Sequence, residues 1–203
     1  MQRQLMYEYD KLSQEQRNAL VEERKMRGFP LHQPPHPVRE QTYYLLTVAC
    51  YEHQHYMTAA ARRQQILDLL FEQVVLYGIQ MYAWAVLTNH YHLLTRVPVF
   101  DALKVVFQRV HGRTAFEWNR EENVIGRKVW YRYSDRAIRS ERHYNTTLNY
   151  IHFNPVKHGL VDSPYDWAWS SVHWYETDRG REWLRDLWRD YPVKDYGKGW
   201  DEV

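Results

Sequence analysis

Between Thr42 and Phe153 the apolar residues change period from one segment to the next, and that succession limits the available folds more than composition does. "TYYLLTVACY", Thr42 to Tyr51, is β-rich and mostly apolar, as for a strand buried on both faces. In "TAAARRQQILDLLFEQVVLYG" the residues Ile66, Leu69, Leu70, Val74 and Val75 recur near helical spacing, and Gly78 closes the segment. "IQMYAWAVLTN" reads as a second strand and "HYHLLTRV" as a third, antiparallel to it or continuing it around a turn. "DALKVVFQRVHGRTAFEWNRE" opens on an Asp suited to an N-cap and reads as a helix with a weak point at Gly112. A short strand around "KVWYRYSD" follows, then a helix from about Ser140 to Phe153, which Pro155 after Asn154 is expected to end. The order β, α, β, β, α, β with one further helix predicts an α+β fold, a ferredoxin-like split βαβ sandwich whose antiparallel sheet carries helices on one face.

The flanks differ from this core. Residues 1–38 read as an N-terminal helix, Leu12 to Arg27, followed by a Pro-rich arm in which four of the eight prolines fall between Pro30 and Pro37. Residues 39–162 form the core domain. Residues 163–203 form an acidic tail that holds six of the nine tryptophans, and it either covers the sheet, docks on the core or meets a partner. The single Cys50 excludes an intramolecular disulfide framework and a cysteine-based zinc cluster, which favours a reducing, cytoplasmic setting. No run of about eighteen apolar residues is present to span a membrane, and the polar start "MQRQLMYEYDK" lacks a signal-peptide apolar region.

The formal charge of +2 hides an uneven distribution. From Lys104 to Arg142 there are ten Lys and Arg against five Asp and Glu, whereas from Asp162 onward ten acids face six bases. A concentrated basic face attracts phosphates, although any single Arg on it also suits a solvated helix face.

"TNHYHLL", Thr88 to Leu94, places His90 and His92 two residues apart in a strand, so both imidazoles project from one face. That spacing suits a divalent metal. It also suits a capped strand end with a hydrogen-bonded surface histidine, and two histidines alone leave a metal short of ligands. The helix "ERHYNTTLNYIHFNP" supplies the remainder. Tyr144, Leu148 and Ile151 form its apolar stripe, and His143, Thr146, Tyr150 and Asn154 lie on the other face. Asn154, one turn beyond Tyr150, offers an amide oxygen to a hard cation. A tyrosine beside a metal can attack a phosphodiester, because the phenol, with a pKa of about 10, needs help in losing its proton and the metal polarises the phosphate.

"VLTNHYHLLTRV" resembles the HUH motif, two histidines flanking a bulky residue, of single-tyrosine transposases of the insertion-sequence 200/605 type. "YIHFNPVKHGLV" resembles the tyrosine helix of their chromosomal relatives, the REP-associated tyrosine transposases, and "DWAWSSVHWY" the tryptophan-serine segment that follows it there. The likeness runs from about Arg39 to Tyr175. It implies His90 and His92 as metal ligands, Tyr150 as nucleophile, and Asn154 at the position where insertion-sequence members often carry a glutamine ligand. The cofactor implied is Mg²⁺ or Mn²⁺, with histidine softness leaving zinc open. The partner implied is single-stranded or hairpin DNA of palindromic repeats, cut through a 5′-phosphotyrosine and rejoined, by a monomer or a homodimer associated with the nucleoid. DNA contacts are expected from Arg109, Arg113, Arg127, Lys128 and Arg132. Two competing classes stand beside this one: a domesticated hairpin-binding protein without chemistry, and an unrelated metallohydrolase or RNA-binding ferredoxin-like domain.

Overall fold

The computed structural model describes residues 43–200 and a few positions between 13 and 22, so the expected N-terminal helix and proline arm lie largely outside the described residues. Four strands form one sheet: β1 (Tyr43–Ala49), β2 (Gln80–Val86), β3 (His90–Arg96) and β4 (Ser134–Ala137). Their order across the sheet is β2-β3-β1-β4, and β1 pairs antiparallel with both β3 and β4 as β2 does with β3. Helices α1 (Ala60–Leu76) and α2 (Asp101–Glu121) make the two crossovers. This is the ferredoxin-like arrangement that the alternation of periods predicts.

Strand alternation gives each sheet face its own core. Leu46, Val48, Tyr91 and Leu93 pack with α1 and α2. Leu45, Ala83, Ala85 and Leu94 pack instead with the later helix α3 (Glu141–Lys157) and with residues of α4 (Val172–Arg179) and α5 (Arg181–Asp190). The crossover helices therefore share one face, and α3 with the tail closes the other. Tyr91 is the pin between these layers. Its hydroxyl meets Nε2 of His111 at 2.7 Å, and the His111 ring is stacked between Phe107 and Trp130 at centroid distances of 5.3 and 4.6 Å. Burial pushes the His111 pKa down to about 3, so the ring stays neutral and keeps its place in the aromatic stack.

Three local expectations need correction. Gly112 does not interrupt α2, which runs unbroken over 21 residues, because burial of Val106, Phe107, Val110, Thr114 and Trp118 on one stripe outweighs about 1 kcal/mol of glycine cost. The fourth strand lies at Ser134–Ala137, later than "KVWYRYSD" centres it; Trp130 makes only an isolated bridge to Cys50. Pro155 does not end α3, which continues to Lys157 with Pro155 buried inside it. Proline removes the one backbone donor that would serve Ile151 O, and the turn beyond it still closes, since His158 N donates to Asn154 O at 3.1 Å. Ser140 caps the start of α3 by accepting from His143 N.

The tryptophan-serine segment closes an edge of the sheet. Val86 N donates to Trp169 O, Ser171 N donates to Trp84 O, and Trp167 Nε1 donates to Val86 O. The exposed edge of β2 is thereby paired. The guanidinium of Arg63 lies over Trp169 at 3.8 Å. Beneath the segment, Ser171 Oγ also meets His152 Nε2 at 3.0 Å, which ties α3 to the same edge. Burial pushes the pKa of His152 down to about 3 as well.

Candidate active site

Register decides which way the histidine pair faces. His90 and His92 stand opposite Ala49 and Thr47 of β1, on the sheet face that α3 covers, while Tyr91 points into the opposite core. Their rings lie 4.9 Å apart, centroid to centroid, and both residues are buried. Each ring is oriented through Nδ1. His90 Nδ1 lies 2.7 Å from Asn89 Oδ1, and His92 Nδ1 lies 2.8 Å from Thr47 Oγ1. With the Nδ1 atoms held, Nε2 is the atom each imidazole would present to a metal.

Helix α3 brings the remaining residues to this face. Asn154 Oδ1 stands 3.1 Å from His90 Nε2, and the Tyr150 ring stands 5.1 Å from the His92 ring. His90, His92, Tyr150 and Asn154 thus meet within one chain. Among the described residues no group of three His, Cys, Asp or Glu is placed to hold a metal ion, so the donor set on offer is two imidazoles and an amide oxygen. That set suits a divalent cation that keeps open positions for further ligands. If His90 donates from Nδ1 to Asn89, its Nε2 lone pair faces the Asn154 oxygen, and a cation between two such acceptors relieves their repulsion.

Tyr150 is only 1% exposed, which its position away from the apolar stripe of α3 did not suggest. The cover is the tail. Tyr196 and Trp200 set their rings 5.5 and 5.9 Å from that of Tyr150, edge to face. Between them Gly197 has φ +78°, and a Cβ built there would fall 2.2 Å from Cε2 of Tyr150. The strap is tied down at several points. Tyr196 Oη meets Thr147 Oγ1 at 2.7 Å and His143 Nε2 at 3.0 Å, Lys157 Nζ donates to Gly197 O at 3.0 Å, and the Arg136 guanidinium lies over Trp200 at 3.8 Å.

No family model matches the chain. A Haemophilus influenzae protein described as "Putative REP-associated tyrosine transposase" is 32% identical over 111 residues, covering 48% of this chain and 61% of that protein. The Escherichia coli K12 "REP-associated tyrosine transposase" is 30% identical over 99 residues, covering 45% of this chain and 53% of that protein. The chain therefore spans between about half and three-fifths of the length of the curated relatives it matches. Both of these relatives carry the name REP-associated tyrosine transposase. A solved REP-associated tyrosine transposase bound to a REP hairpin shares the fold, with a TM-score of 0.56 and 22% identity over 73% of this chain and 87% of that one.

Seen beside the REP-associated tyrosine transposases, the basic residues read from sequence fall in three places. Arg109 and Arg113 lie on α2, on the sheet face opposite Tyr150; Arg109 donates to Gln73, and Arg113 pairs with Glu117 at 2.9 Å. Arg127 pairs with Glu122 and lies over Tyr56, while Lys128 lies over Tyr51 and Tyr131. Arg132 is exposed just before β4. Nearer the tyrosine are cations that residue spacing does not single out. Lys157 Nζ is 5.3 Å from the Tyr150 ring centroid, and Arg136 projects from β4 toward Tyr196 and Tyr150. Burial holds Arg136 below its ordinary pKa, with the two phenols acting in the opposite sense. His158, the C-cap of α3, places its ring 4.9 Å from that of His90. Its spacing four residues beyond Asn154 was the available signal.

Proposed function

We propose that this chain is a REP-associated tyrosine transposase that nicks and rejoins single-stranded DNA at palindromic hairpins. The observation that carries the reading is the convergence of Tyr150 and Asn154, one helical turn apart, on the His90–His92 pair. The relatives' names and the hairpin-bound neighbour supply the substrate class.

In this reading His90 and His92 through Nε2, with Asn154 through Oδ1, would hold Mg²⁺ or Mn²⁺. The bound ion would polarise the scissile phosphate and offset charge as it develops. Thr47 and Asn89 keep the two imidazoles turned toward the site. Tyr150 attacks phosphorus in line: the Tyr150 Oη–P bond forms, the P–O3′ bond breaks, and the phenolic proton passes through solvent to the leaving 3′ oxygen. The products are a 5′-phosphotyrosine and a free 3′-hydroxyl, and attack by a second 3′-hydroxyl rejoins the strand without ATP. The buried ring of Tyr150 requires the tail strap to move before a phosphate can reach its hydroxyl. Lys157 and Arg136, which now hold that strap, become available to phosphate when it does.

The test is incubation of the protein with hairpin oligonucleotides carrying single-stranded flanks, with Mg²⁺ or Mn²⁺ and with chelator. Metal-dependent covalent protein–DNA adducts are expected. His92→Ala should reduce their rate by on the order of a hundredfold while hairpin affinity measured in chelator stays within about threefold. Hairpin binding with no adduct under any divalent metal would assign the chain to the binding proteins without chemistry.

A further inference from the structure

The turn joining β2 to β3 is bound, residue by residue, to the loop that follows β1. Met57 N donates to Thr88 O at 2.9 Å and Cys50 N to Asn89 O at 2.8 Å, while Thr88 Oγ1 meets His55 Nδ1 at 2.7 Å and Asn89 Nδ2 donates to His53 O at 3.3 Å. The loop holds Glu52 and His53 at φ +53° and +52°, two consecutive positive values that residues with a Cβ disfavour. Strain of this kind persists where surrounding contacts over-determine it, and it gathers at functional sites. We propose that Asn89, clamped by the His53 carbonyl, is a positioning residue that fixes His90 in the tautomer protonated on Nδ1; this rests on the reading of His90 as a metal ligand.

The assignment follows from which atoms can donate. A backbone carbonyl only accepts, so the end of the Asn89 amide that faces His53 O is its NH₂ group, and the other end is an oxygen that also only accepts. That oxygen lies 2.7 Å from Nδ1 of His90. The nitrogen must therefore carry the proton, and because a neutral imidazole has one N–H, Nε2 keeps its lone pair. Nε2 is the atom turned toward Asn154, 3.1 Å from its Oδ1, in a residue only 2% exposed. His92 is not constrained in this way. Its Nδ1 meets the Thr47 hydroxyl at 2.8 Å, and a hydroxyl donates or accepts, so that contact suits either tautomer.

The two histidines of the pair are therefore not equivalent. His90 presents a lone pair already aimed at the face it shares with Asn154, and it is ready to ligate without first moving a proton within its ring. The carbonyl that sets this state belongs to the second residue of the strained pair, so the loop after β1 contributes to metal affinity without touching the metal.

The experiment reads the tautomer in the intact chain, in chelator and at mildly alkaline pH, where free imidazole is neutral. Two-bond ¹H–¹⁵N correlation spectra of histidine-labelled protein report it, with the His90 signals assigned by their loss in His90→Gln. A pyrrole-like Nδ1 and a pyridine-like Nε2 are expected for His90. Asn89→Ala should abolish that preference, and Mn²⁺ affinity measured by calorimetry should fall about tenfold to a hundredfold. Asn89→Asp, which keeps an acceptor beside Nδ1, should restore the tautomer and most of the affinity. His90 protonated on Nε2 in the wild-type protein, a tautomer unchanged in Asn89→Ala, or a Mn²⁺ affinity unchanged there would overturn the assignment. The wild-type spectrum decides the tautomer even if Asn89→Ala does not fold. If the wild-type protein binds no Mn²⁺ at all, the reading of His90 as a ligand fails, while the spectrum still upholds or refutes the role of Asn89 in fixing the ring.

Discussion

Replacing Tyr150 with phenylalanine is expected to lower covalent adduct formation on hairpin DNA by on the order of a thousandfold or more, with little change in folding or in DNA affinity. The substitution removes one oxygen and leaves the ring. The ring makes the edge-to-face contacts with His92, Tyr196 and Trp200, so the packing of α3 against sheet and tail is retained. Melting temperature should stay within a few degrees. Denaturing electrophoresis reports the adduct, and anisotropy of a labelled hairpin reports affinity. Adducts at the wild-type rate would remove Tyr150 from the mechanism and direct attention to Tyr196, the phenol whose ring stands 5.5 Å away. Tyr196→Phe is the matching control. It loses the hydrogen bonds to Thr147 and His143 that tie the strap and should raise adduct formation.

Gly197→Ala should raise the rate of adduct formation about tenfold and lower the melting temperature by a few degrees. Two separate strains act at this position. A φ of +78° disfavours any residue with a Cβ, and that Cβ would lie 2.2 Å from Cε2 of Tyr150, closer than atoms can approach. Overpacking of this kind costs about 1–3 kcal/mol, and about 1.4 kcal/mol is a tenfold shift in the balance between covered and uncovered Tyr150. Gly199 separates the two strains. Its φ is +74°, yet a Cβ there meets nothing within 4 Å. Gly199→Ala therefore carries the backbone strain without the clash and should raise the adduct rate by less than Gly197→Ala does. A fall in rate with Gly197→Ala would show that the strap takes part in binding substrate and does not obstruct it.

The order of elements and the direction of His90, Tyr91 and His92 were legible because strand alternation is a local rule, and the histidine register follows from it. Tyr150 and Asn154 were legible as a pair for the same reason, one turn apart on a helix. The surroundings of Tyr150 were not. Its cover comes from residues more than forty positions later, and Arg136 reaches it only because β4 pairs with β1. Charge counting drew attention to Arg109, Arg113 and Arg127, three of the residues that the fold engages with Gln73, Glu117 and Glu122. The displaced fourth strand has a related cause. Trp130 is as β-prone as any residue in β4, but its ring stacks on His111 and its indole nitrogen donates to Thr114, so it serves the α2 core. Proline at 155 misleads because a helix loses only one hydrogen bond to it when the surrounding face is buried.

The two neutral histidines buried on opposite faces of the sheet tie the fold to proton uptake. His111 and His152 are both held down to about 3 by burial, whereas in the unfolded chain each titrates near about 6.5. Below that value the unfolded chain binds more protons than the folded one, so the stability they contribute is present above about pH 6.5 and is lost as the pH falls toward 3. One of them anchors Tyr91 behind the histidine pair, and the other anchors α3 to the sheet edge. Acid would therefore loosen both supports of the candidate active site together.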